Sequence, residues 1–144
     1  AVIIVSLVFT VYKSDRYEKK VFFFPALHSR SLQGEQRYLP AANEPEKSIH
    51  EYLKSLLLGP ADISLDMLFP EGSRINSLLY REKTLYVDMN SDVLKESPNS
   101  LSLEEQFGAI TKGLEYNYRS IEKIIFSIEG RPIEFSRLSA VDEG

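Results

Sequence analysis

The chain has 144 residues, room for one domain, and at that size folding buries roughly 68–70% of the unfolded surface, so a core forms without covalent staples. Its composition, 43% hydrophobic, 26% charged and 11% aromatic, is that of a folded protein, and 17 basic against 21 acidic side chains give a net charge of −4 that offers no field for nucleic-acid phosphates. With no cysteine, disulfide frameworks, thiolate metal sites, thiol nucleophiles and S-lipidation are excluded within this stretch, although the redox compartment stays open.

Residues 1–12, AVIIVSLVFTVY, carry no charge. As a helix they would reach about 18 Å against a hydrocarbon core of about 30 Å, too short to span alone. The first residue is not Met, so the segment reads as the trailing half of a membrane anchor; a buried first strand and a signal-peptide core are the other readings. Lack of alternation and the charged spacer that follows, KSDRYEKK (13–20), favour the anchor. Lys13, Arg16, Lys19 and Lys20 outnumber Asp15 and Glu18, and such a basic flank prefers the cytoplasmic side.

Val21–Phe24, stopped by Pro25, reads as a short buried strand, and Gln36–Leu39 as a second one after a polar loop. Asn43 and Glu46 form a capping box with Pro45 in the first turn. Ile49, Tyr52, Leu53, Leu56 and Leu57 then make one apolar helical stripe, ended by a left-handed cap at Gly59 and by Pro60. Arg74–Arg81 and Lys83–Asn90 read as a hairpin turning at Glu82-Lys83, with Leu85, Val87 and Met89 inward. Ser102 and Glu105 form a second capping box, opening a helix to about Tyr118 with Leu103, Phe107, Ile110 and Leu114 on its inner face. Gly108 and Gly113 in that helix imply close packing. Lys123–Glu129 is a strand, Gly130-Arg-Pro132 turns the chain, Ile133–Phe135 pairs back, and residues 137–144 fray. The sum is a two-layer α+β sandwich, two helices on one mostly antiparallel sheet.

Nothing in the motifs points to chemistry. His50-Glu51 opens like a zinc-protease helix, but position 54 is Lys, and His28 lies far away. Asp88, Asn90 and Asp92 copy the start of a calcium loop, yet Val93 replaces its glycine and Asn99 its glutamate. No nucleophile elbow or phosphate loop occurs, so no catalytic residue, metal ligand or cofactor is expected. Tyr80, Tyr86, Tyr116 and Tyr118 stand in or beside the core elements. Amphipathic rings on outer faces are enriched at interfaces, which makes these four the candidate interaction surface; covering the edge of a small sheet is the plainer alternative.

Five stretches, VFFFP (21–25), LLLGP (56–60), FPEGSRINSL (69–78), LYVDMN (85–90) and IIFSIEGRPI (124–133), resemble in order the GerMN domain of bacterial sporulation and germination proteins. The resemblance spans Val21 to Phe135 and marks Gly59, Pro60, Pro70, Gly72, Asp88 and Gly130 as structural motif positions. It departs where Glu82-Lys83 replaces the frequent Asp-Gly and where Glu129 replaces the common Asp. The order of elements also resembles the ring-building motif of envelope-spanning assemblies. The resemblance implies a non-enzymatic, membrane-tethered module on the extracytoplasmic side, in contact with other envelope proteins or with a second copy; that placement runs against the basic spacer. A peptidoglycan-binding module is the alternative, and a hydrolase built on Asp88 and Glu129 a third and weaker one.

Overall fold

A computed structural model describes residues 16–135. The anchor segment 1–12 and the tail 137–144 lie outside the described residues, as do the first residues of the spacer. Within the described part no helix is long and apolar enough to cross a membrane.

The chain forms β1 (Tyr17–Pro25), β2 (Leu32–Pro40), α1 (Pro45–Leu58), β3 (Ile75–Arg81), β4 (Thr84–Met89), a short 3-10 turn (Ser91–Leu94), α2 (Leu103–Asn117), β5 (Lys123–Ile128) and β6 (Arg131–Pro132). This is the expected α+β class with two helices, and its strands divide into two sheets. β1 and β2 make a separate antiparallel ribbon, while the second sheet runs β3-β4-β5-β6. Its one parallel pair, β4 with β5, follows from the α2 crossover between them, because parallel neighbours need a long connection.

Both strands of the ribbon are longer than their apolar runs. β1 begins at Tyr17, so Tyr17–Lys20 of the expected spacer pairs with Arg37–Pro40. Phe22 and Phe24 are buried, and on the same face β2 sets Glu35 and Arg37 against them. Charged residues therefore hold two inward positions of β2, with Leu39 packed on the core beyond them.

The helices follow their stripes. Ile49, Tyr52, Leu53 and Leu56 are buried on α1, and Gln106, Phe107, Ile110, Gly113 and Leu114 on α2. The rings join the layers: Phe22 stacks on Tyr52 at 4.5 Å, and Phe107 meets Phe69 at 5.2 Å and Phe126 at 4.9 Å between centroids. The α2 cap is as expected, Ser102 Oγ accepting from Glu105 N at 3.2 Å, although the Glu105 carboxylate pairs with Arg30 and leaves the box half closed. At α1 the expected box does not form. Glu44 is the N-cap without a side-chain bond, and Glu46 accepts the Tyr80 N–H at 3.1 Å, tying α1 to β3. Gly59 ends α1 at φ 96°, ψ 175°, an extended conformation close to glycine-only and not the expected left-handed cap.

The β3–β4 and β5–β6 hairpins turn as type I′ geometry requires, with positive φ at both central residues. Glu82 (φ 50°) and Lys83 (φ 63°) supply the first without a glycine. Glu129 (φ 49°) and Gly130 (φ 79°) supply the second, so the turn starts one residue and the β6 pairing two residues earlier than expected, with Ile133 N–H still bonded back to Phe126 C=O at 2.9 Å. Gly108 and Gly113 have different neighbourhoods. A Cβ on Gly113 would overlap Tyr52 Oη, while a Cβ on Gly108 meets nothing within 4 Å; close packing holds for the first alone.

Candidate interaction surface

The four tyrosines occupy two kinds of environment. Tyr80 and Tyr118 are half-buried against the core. Tyr80 Oη shares a hydrogen bond with Ser120 Oγ at 3.0 Å, and Tyr118 Oη shares one with Ser48 Oγ at 2.9 Å. Tyr118 also lies edge-on to Tyr52, carries the Lys20 ammonium over its ring, and has its phenol pushed up to about 12, chiefly by burial. These two rings pack against the core with only part of their surface left open. Their side chains follow the inward faces of β3 and the chain after α2, which the apolar count of each segment alone does not distinguish.

Tyr86 and Tyr116 are exposed, at 43% and 56%, as their places off the buried stripes imply. They stand on different elements. Tyr116 packs edge-on against Phe23, 5.7 Å between centroids. Tyr86 lies on the face of the four-stranded sheet turned away from the helices. Leu79 is its cross-strand partner on β3 and Ile125 on β5, so register alone lines up Leu79, Tyr86 and Ile125 in one row across three strands. Leu79 is 40% exposed and Ile125 half-buried. Arg81, Thr84 and Lys123 flank the row on one side and Ser77, Asp88 and Ser127 on the other. The result is an apolar stripe between two polar ones, with no element of the described chain packed over it. Leu79 and Ile125 are the residues that the tyrosine pattern missed; the alternation of β4, extended to its neighbours through the sheet register, finds them.

The structural motif positions turn out to be joints. Gly72, at φ 92°, holds a backbone conformation that favours glycine, and a Cβ there would stand 2.6 Å from Asp92 Oδ2 and push that carboxylate aside. Its carbonyl accepts from Asn90 Nδ2 at 2.9 Å, and Asn90 Oδ1 accepts the Arg74 N–H at 2.9 Å. Pro70 C=O accepts from Ser73 Oγ at 2.6 Å and closes the same turn. Asp88 accepts from Ser127 Oγ at 2.5 Å, Gly130 N at 2.7 Å and Asn76 Nδ2 at 3.2 Å. The Ser127 hydroxyl foremost, joined by the Gly130 and Asn76 donors, holds its carboxyl below the ordinary 3.8 against the opposing effect of burial. Glu129 accepts the Ser91 N–H at 3.0 Å. Asp88, Asn90 and Asp92 thus turn to different partners, Asp92 pairing with Lys95 at 3.0 Å. Among the described residues no three His, Asp or Glu side chains converge as a metal site would need.

The last joint involves Arg37 and Glu35, neither of which any motif singles out. Arg37 lies over the rings of Phe22 and Phe24, 4.8 and 5.6 Å from their centroids. It pairs with Glu35, donating from Nε at 2.7 Å, and donates to Gly59 C=O at 2.7 Å and Ser55 C=O at 3.4 Å. Glu35 in turn accepts the N–H groups of Ala61 at 3.0 Å and Asp62 at 2.9 Å. Burial alone would raise the Glu35 carboxyl, but the Asp62 N–H, Arg37 and the Ala61 N–H together hold it below 4.5. The first strand and the Gly59-Pro60 helix end are locked together through this pair. A groove of about 610 Å³ opens beyond it, with Leu57, Leu58, Met67 and Ile75 on its walls and His50, Lys54, Glu71 and Arg74 among its polar residues.

Two helices and two sheets, fastened to one another by these side-chain joints, define a small α+β domain. Residues 20–134 match the Germane family, sporulation and spore germination, and the chain belongs to that family. Its fold is similar to the tandem GerMN domains of the sporulation protein GerM from Bacillus subtilis, at TM-score 0.59 and 15% identity over 80% of this chain. The chain spans 40% of the length of that tandem structure. It is similar also to the first GerMN domain of the same protein, at TM-score 0.53 and 16% identity over 78% of this chain and 85% of that one. No curated protein matches the chain.

Proposed function

We propose that the chain is a non-enzymatic assembly module of the bacterial cell envelope, which docks another envelope protein on the open face of its four-stranded sheet. In this reading residues 1–12 hold it to the membrane and the domain faces the extracytoplasmic side. The observation that carries it is the row Leu79–Tyr86–Ile125, apolar, with Leu79 and Tyr86 exposed and Ile125 half-buried, framed by polar side chains, the pattern of an interface core within a polar rim. The bonding of Asp88 and Glu129 into the fold supports a role without turnover, and the family supports the envelope setting.

A photo-crosslinking residue in place of Tyr86 tests the reading in the full chain in its native membranes. The expected result is a discrete protein adduct that disappears when Leu79→Asp is added. Retention on purified cell wall at high salt, with no protein adduct, would move the function to peptidoglycan binding. Neither adduct nor retention would overturn the docking role of this face.

A further inference from the structure

β2 has one edge bonded to β1 and the other bonded to nothing among the described residues. In an antiparallel ladder, residues alternate between those whose main-chain groups face the partner strand and those whose groups face away. Val21 donates its N–H to Asn117 and accepts from Tyr52 and Asn117 at its C=O. Its main chain therefore points out of the ribbon, and so does that of its ladder partner Gln36, on the opposite edge. By the same alternation Gly34 and Tyr38 offer their N–H and C=O groups outward. All three residues are exposed. The nine-residue pairing with β1 has no bulge and β2 has no proline before its last position, so neither of those protections guards this edge, and its inward charges, Glu35 and Arg37, neutralise each other.

We propose that β2 pairs antiparallel with β2 of a second copy, about a two-fold axis at Gln36, fusing the two ribbons into one four-stranded sheet. This rests on the reading of the chain as an interaction module and names a copy of itself as one partner, on a surface separate from the Tyr86 face. Gln36 is the midpoint of Leu32–Pro40, so the two strands overlap along their whole length. The pairs Gln36–Gln36, Gly34–Tyr38 and Tyr38–Gly34 contribute about six main-chain hydrogen bonds, two each. Glu35 falls opposite Arg37 of the second copy, and the reverse. An axis moved by one residue would set Glu35 against Glu35 or Arg37 against Arg37, and like charges directly opposed repel. Tyr38, 69% exposed, falls opposite Gly34 of the second copy. Val21 and Phe23 of β1 already stand beside that glycine, their carbons 3.1 and 3.6 Å from where its Cβ would be, so the Tyr38 ring of the second copy crosses a position that carries no side chain of its own. The interface is isologous and closes as a dimer.

The chain has no cysteine, so single cysteines read the register directly. Paired residues across a narrow antiparallel site lie about 5.5 Å apart at Cα, within disulfide reach. In the full chain, in mild detergent, Gln36→Cys is expected to oxidise to a covalent dimer at least tenfold faster than Tyr38→Cys, whose two copies stand more than about 13 Å apart. Gln36→Pro removes an N–H unused within the monomer, and is expected to weaken association at least tenfold by sedimentation, with an unchanged thermal midpoint at dilutions where both chains are monomeric. Equal crosslinking at both positions would overturn the register. A dimer by sedimentation that no β2 cysteine captures would overturn this edge as the contact and leave the interaction reading standing. A monomer at all concentrations without crosslinks would remove self-association altogether, while the Tyr86 adduct would still decide the docking reading.

Discussion

Arg37 answers several needs with one planar cation: it balances Glu35, covers two core rings and takes up carbonyls at the end of α1. Hydrogen bonds to charged groups contribute about 1.5–3 kcal/mol, and removing one partner strands the other in a half-buried place. Arg37→Ala is therefore expected to lower unfolding free energy by about 2–3 kcal/mol in urea denaturation, and Arg37→Lys, which keeps charge but loses the fork, by an intermediate amount. A loss below about 0.5 kcal/mol in the alanine variant, the level of a surface substitution, would contradict the joint. Asp88 gives a pH-dependent counterpart. Because Ser127, Gly130 and Asn76 hold its folded-state acidity below 3.8, its contribution is complete above that value and is lost as pH falls through the lower folded one. The difference in Tm between the natural chain and Asp88→Asn should be widest near neutral pH and close below 3.8; a gap that ignores pH would show that the carboxylate charge is not what matters.

On α2, two glycines in one helix have opposite meanings. Gly108 is exposed with free space around it, so Gly108→Ala is expected to raise stability by about 0.5–1 kcal/mol through helix propensity alone. Gly113→Ala would drive a methyl group into Tyr52, whose hydroxyl is committed to Val21 C=O at 2.9 Å, and is expected to lower stability by about 1–3 kcal/mol. Thermal and urea unfolding of the two variants check the signs; the same sign for both would contradict the packing. Helices, the β3–β4 hairpin and the inward side of β4 were legible in the chain because their signals are local: a 3.6 period, a period of two, a capping serine. β2 was legible only in part. Two of its inward positions carry Glu35 and Arg37, so Leu39 alone marks that face as apolar and the earlier part of the strand shows no hydrophobic alternation. The α1 capping box failed for a related reason, since Glu46 found a better donor in Tyr80, 34 positions along the chain.

For the whole molecule, the family segments are the places where distant parts of the chain are fastened: Asn90 to Gly72 and Arg74, Asp88 to Ser127 and Gly130, Arg37 to the end of α1. That leaves the outer sheet face and the β2 edge as surfaces without an internal task. Of the sheet face, the sequence disclosed Tyr86 through its strand alternation; Leu79 and Ile125 became its neighbours only through register, a three-dimensional fact. Hydroxyl-radical footprinting of the full chain, compared between native membranes and purified monomer, measures coverage of this face side chain by side chain. Oxidation of Tyr86 and Leu79 is expected to fall at least threefold in the membranes while Ile63, 94% exposed on a separate loop, stays unchanged. Equal oxidation of Tyr86 in both states would mean that nothing docks on the open sheet.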